Sequence, residues 1–122
     1  MPILAQLLVA FVALEHIYIL WLEMFAWESR GKKVFKGALK EEYFAPTKVL
    51  AANQGLYNGF LAAGLLWSLL IADPLWSGKV ALFFLACVVV AGVYGAATAS
   101  RKIFFVQAVP ALLAVAALLL LS

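Results

Sequence analysis

Four apolar runs, each close to 20 residues long, fill most of this sequence. They cover about residues 3–27, 49–72, 80–98 and 103–121. An α-helix needs about 20 mostly apolar residues to cross the hydrocarbon core of a bilayer. Of the 122 residues, 67% are hydrophobic and 12% are charged. A small water-soluble domain leaves much of its surface exposed and cannot hide that much apolar material. The runs also lack the polar–apolar alternation of a membrane β-barrel strand. The expectation is an all-α integral membrane bundle: one domain, residues 1–122, with four transmembrane helices.

Three connections join the runs. The first, residues 28–48, is long and polar. The second, 73–79, carries an Asp-Pro turn signal at Asp73 and Pro74. The third, around 99–102, is very short, and short connections make helices antiparallel neighbours. Arg30, Lys32, Lys33, Lys36, Lys40, Lys48, Arg101 and Lys102 fall in the first and third connections, against Lys79 alone in the second. By the positive-inside rule, this places the 28–48 loop in the cytoplasm and both termini outside, in a multi-pass protein of the inner (plasma) membrane. Trp27, Trp67 and Trp76 lie near span ends, as interfacial aromatics do. The basic loop would attract anionic headgroups, although its charges are accounted for by topology alone. Residues 40–48 suit a short interfacial helix, with Tyr43 and Phe44 at headgroup level and Pro46 limiting its length. The net charge of +3 does not argue for nucleic acid, because the basic residues are gathered in one segment. No Lys or Arg precedes Arg30, and the first run is too long for a signal peptide, so it reads as a first spanning helix. Cys87 stands alone in an apolar run and reads as a small buried hydrophobe.

The polar residues inside the runs carry the functional argument. Charged groups near a bilayer centre are costly and mark sites more often than they stabilise. The first run contains Glu15, His16 and Glu23. His16 and Glu23 are seven residues apart, so they project from nearly one face, roughly 10 Å apart along the axis. The second run contains Asn53, Gln54, Tyr57 and Asn58 within an arc of about 140°. Gly55, Gly59 and Ala63 line the adjoining face, where small residues let another backbone approach. Gly92, Ala96 and Ser100 form a similar line in the third run, near Tyr94 and Thr98. With alternating helix direction, Glu23, Asn53, Gln54, Tyr94, Thr98 and Gln107 fall in the cytoplasmic half, and Glu15, His16, Tyr57 and Asn58 near the middle. The opposite half is almost wholly apolar. A polar cavity open to the cytoplasm and sealed outside is the expected result, widened by a kink at Pro110.

The strings Leu14-Glu15-His16-Ile17-Tyr18-Ile19-Leu20 and Leu22-Glu23-Met24-Phe25, with Trp27, resemble the first helix of the family called domain of unknown function 1304 (DUF1304). The run from Lys48 to Gly64, through Asn53-Gln54-Gly55-Leu56-Tyr57-Asn58-Gly59, is similar to that family's second-helix signature. The resemblance implies a small bacterial four-helix inner-membrane protein. It brings no established activity and no catalytic residues.

Four functional readings compete. In the first, the cavity binds a small molecule, with Glu15, His16 and Glu23 as general acid and base and with Asn53, Gln54, Tyr57, Asn58, Tyr94 and Gln107 orienting the ligand. No nucleophile motif, phosphate loop or cofactor fingerprint names a reaction, and no cofactor is expected. In the second, the chain is a proton-coupled transporter or channel; four helices are few for a pathway, so a homodimer joined through the glycine faces is required. In the third, the site holds a metal or haem, with Glu15, His16 and Glu23 binding a divalent ion helped by Asn53 or a water, a weaker reading because His16 and Glu23 are too far apart to share one ion. In the fourth, the chain is a structural or accessory membrane subunit.

Overall fold

The computed structural model describes residues 1–122 and is all α-helical apart from an isolated bridge and turns. Four long helices, α1 (Ile3–Met24), α3 (Lys48–Leu70), α4 (Pro74–Thr98) and α5 (Arg101–Leu120), accompany a short α2 (Arg30–Val34). Helices α1, α4 and α5 are long and apolar enough to cross a membrane by length and composition. At about 1.5 Å per residue each reaches about 30 Å or more, the thickness of a hydrocarbon core. Helix α3 has 23 residues, but Lys48, Asn53, Gln54 and Asn58 dilute its apolar character.

The helices form a ring. Helix α1 packs against α3 and α5, and α4 packs against the same two, so α1 and α4 face each other across the bundle. One core cluster draws on all four: Val9, Val12 and Ala13, then Leu65, then Ala81, Leu85 and Val88, then Ala111 and Ala114. Many of these residues are Ala or Val, and such small side chains let helices pack closely where lipid offers no hydrophobic drive to associate. Leu, Phe and Trp side chains cover much of the outer surface, as a bundle facing hydrocarbon requires.

Local chemistry sets the helix ends. Asp73 accepts a hydrogen bond from the Leu75 N–H at 2.9 Å, and Pro74 takes the first helical position. Pro is suited to that position because its missing N–H has no partner there anyway. Helix α4 therefore starts six residues before the expected 80, and Lys79 lies inside it rather than in a loop. Helix α5 starts from Ser100, whose Oγ accepts from the Lys102 N–H. Residues Phe104–Ala108 form a π-turn that ends two residues before Pro110, which has no N–H to give the Val106 carbonyl.

The 28–48 segment is a folded cap. Helix α1 ends at Met24, three residues short of the expected boundary, and Trp27 turns into the cap. Its ring packs against Phe35 and Phe44, and its indole N–H donates to Thr47 Oγ1 at 3.1 Å. Phe44 is 1% exposed and packs on Trp27, whereas Tyr43 remains exposed. A single 3₁₀ turn, Glu41–Tyr43, stands where the interfacial helix was expected. Gly37 has φ 91° beside the Lys36–Leu39 bridge, a left-handed turn that suits glycine. Lys102 Nζ donates to the Val34 carbonyl at 3.3 Å and ties the cap to α5.

Candidate functional site

Glycine packing determines which way α3 turns. A Cβ on Gly55 would lie 2.6 Å from Met24 Cγ and 3.2 Å from the Leu20 carbonyl oxygen, and one on Gly59 would lie 2.5 Å from Leu20 Cδ1. The glycine face is therefore filled by α1 of the same chain and is not open to a second copy. Gly92 is filled in the same way by Ala108 of α5, whose backbone nitrogen would stand 2.9 Å from an added Cβ. Around Pro110 the bundle is thus close-packed, not widened.

With α3 in this orientation, the polar residues of α1 form two couples. Glu23 is 7% exposed, and its Oε1 accepts from the Asn58 amide nitrogen at 2.6 Å. His16 is fully buried. Its Nδ1 stands 2.8 Å from the Val12 carbonyl, and its Nε2 stands 3.4 Å from the Gln107 amide nitrogen. The carbonyl can only accept and the amide nitrogen can only donate, so this arrangement holds a neutral imidazole with its hydrogen on Nδ1. Helix α1 thus reaches α3 through Glu23 and α5 through His16.

Glu15 differs from both. It lies about 100° around α1 from His16, away from the flank where Leu20 and Met24 close on the glycines. Its Oε1 is enclosed by protein and has no hydrogen-bond partner. A buried polar atom without a partner costs about 1–3 kcal/mol, more when charged, and calls for a reason.

The other expected site residues are not gathered with these. Asn53, Gln54, Tyr57 and Tyr94 are exposed on the bundle surface and make no side-chain hydrogen bond; Tyr57 is 63% and Tyr94 70% exposed. The cause is rotational. Asn53 and Tyr57 are each two residues from Gly55, about 200° around the helix, so seating the glycines on α1 carries both away from it. Tyr94 is nine residues from buried Leu85, on the opposite face of α4. Gln54 shares a flank with Asn58 but lies one turn nearer the basic end and is exposed. Two surface grooves, one beside the termini and one beside Trp67 and Trp76, include none of Glu15, His16 and Glu23. No three His, Cys, Asp or Glu side chains stand together as a metal-binding set.

The family follows from comparison. The model of the family described as "Protein of unknown function (DUF1304)" matches residues 10–119. The chain belongs to the DUF1304 family. The match takes in every buried polar residue of α1 and its partners on α3 and α5. The chain is also 32% identical, over 115 residues, to the "Uncharacterized protein YpaA" of Lactococcus lactis subsp. lactis (strain IL1403), covering 93% of this chain and 95% of that one. No solved structure matches.

Two polar contacts were not legible in the sequence. Ser77 Oγ donates to the Ser68 carbonyl at 2.7 Å, and Ser68 Oγ donates to the Leu65 carbonyl at 2.6 Å. The first joins the end of α3 to the start of α4, and the second lies within α3. Both serines are small and isolated in apolar runs, and nothing in their spacing marks them out.

Proposed function

We propose that this DUF1304 protein crosses the inner membrane with α1, α3, α4 and α5, both termini outside and the basic cap in the cytoplasm, and binds a small polar molecule at Glu15. The charge asymmetry between the two ends supports the orientation, and the polar flank of α3, shielded in part by α1, supports its inclusion as a span. The unpartnered Oε1 of Glu15 carries the proposal for the site. A ligand with a hydrogen-bond donor would complete it. His16, held by Val12 and Gln107, and Glu23, held by Asn58, would frame the site and provide groups able to take or give a proton.

A second reading is a proton-coupled transporter acting as a homodimer. The π-turn and Pro110 beside Gln107 favour it, because an irregular helix next to intramembrane Glu and His provides an element that can move. The glycine faces do not join its two copies; another surface would.

The test is to compare purified native protein and Glu15→Gln for small molecules that co-purify, by mass spectrometry, and for proton flux in liposomes containing a pH-sensitive dye. A co-purifying species lost in the variant supports the binding site. Flux lost in the variant without such a species supports the transporter. If native protein and variant match in both assays, the site is refuted.

A further inference from the structure

Lys79 is the one basic side chain at the end of the bundle that carries the termini. There it weakens the charge asymmetry that orients the chain, so topology does not explain it. It lies one and a half turns inside α4 and has no carboxylate within ion-pairing distance; Asp73, the nearest in sequence, caps the helix through Leu75 N–H. The Nζ stands 5.0 Å from the centroid of the Trp76 ring, at the mouth of a groove of about 300 Å³ lined by Trp67, Trp76, Lys79, Val80, Phe83 and Phe84. The groove runs between α3 and α4, and its inner end is fixed by Phe84, whose ring fills the space over Gly64. Trp67 and Trp76 lie at the ends of their helices, the level that amphipathic aromatics occupy at a membrane interface.

We propose that this groove seats one anionic phospholipid, its phosphate on Lys79 and its first acyl carbons on Phe83 and Phe84. Charge complementarity selects the headgroup: a cation without a counter-ion faces the interface, and a zwitterionic lipid would bring its own cation beside it. The aromatic floor selects a chain-bearing ligand over free phosphate. The proposal rests on α4 lying in the membrane and is independent of Glu15.

The test is lipid retention, by native mass spectrometry, from nanodiscs containing equal amounts of phosphatidylglycerol and phosphatidylcholine. Native protein should retain phosphatidylglycerol roughly fivefold over phosphatidylcholine, as one basic group near a surface supports. Lys79→Gln should abolish that preference, Lys79→Arg should keep it, and Lys33→Gln in the basic cap should leave it unchanged. Equal retention of both lipids by native protein would overturn the proposal. So would a preference that survives Lys79→Gln, or one that inorganic phosphate removes by taking the lipid's place.

Discussion

The Asn58 amide nitrogen lies 2.6 Å from Glu23 Oε1, joining α3 to α1 where Gly55 lets the two backbones close. The bond and the close approach depend on each other. The glycine brings Asn58 within reach, and the bond gives the carboxylate a partner inside the bundle.

Removing one member should therefore cost more than removing both. Asn58→Leu is expected to destabilise the protein by about 1–3 kcal/mol, because Glu23 is left buried and unpaired. The double variant with Glu23→Leu should recover most of that loss. Unfolding in detergent, read as a double-mutant cycle, measures it; equal losses in the single and double variants would refute the dependence.

The two glycine contacts should differ in tolerance. A methyl group at Gly59 meets only the tip of the Leu20 side chain, which can move; at Gly92 it meets the backbone of Ala108. Gly92→Ala should thus lose about 1–3 kcal/mol, and Gly59→Ala distinctly less. The same unfolding measurement ranks them, and the reverse order would contradict the packing described.

His16 is the only histidine, so ¹⁵N-histidine labelling reports one side chain. Solid-state NMR should show Nδ1 bearing hydrogen and Nε2 without it. Gln107→Leu should shift chiefly the Nε2 resonance. Hydrogen on Nε2 in the native protein would mean that the Gln107 amide is turned the other way.

The cap should behave as packed structure. Phe44→Ala is expected to cost about 3–5 kcal/mol, as for a buried aromatic elsewhere, and to speed proteolytic cutting within residues 28–48. Cutting at the native rate would show that the segment is not anchored by Phe44.

Much of the architecture was legible because hydropathy runs and inward-facing charges follow directly from what hydrocarbon tolerates. His16 and Glu23 could be assigned to one face of α1 from spacing alone, and α1 does turn both inward, whereas Glu15 stands about 100° around from His16. The rotation of α3 was not legible. The same seven residues, 53–59, offer a polar face and a glycine face, and only the packing against Leu20 and Met24 decides which one meets α1. Asn53 and Tyr57 were misplaced for that reason. Lys79 was misplaced because Asp-Pro signals both a turn and a helix start; the Asp73 side chain bonding to Leu75 N–H settles it as the latter. The burial of Phe44 was not legible, because nothing local reveals that Trp27 folds back to receive it.

The most direct measurement is the unfolding free energy of Glu15→Leu in detergent. If Glu15 is kept for a ligand and not for the fold, replacing an unpartnered carboxylate with an apolar side chain should leave stability equal or raised. A loss of about 1–3 kcal/mol, the cost of deleting a bonded polar group, would contradict the account and make Glu15 a structural residue.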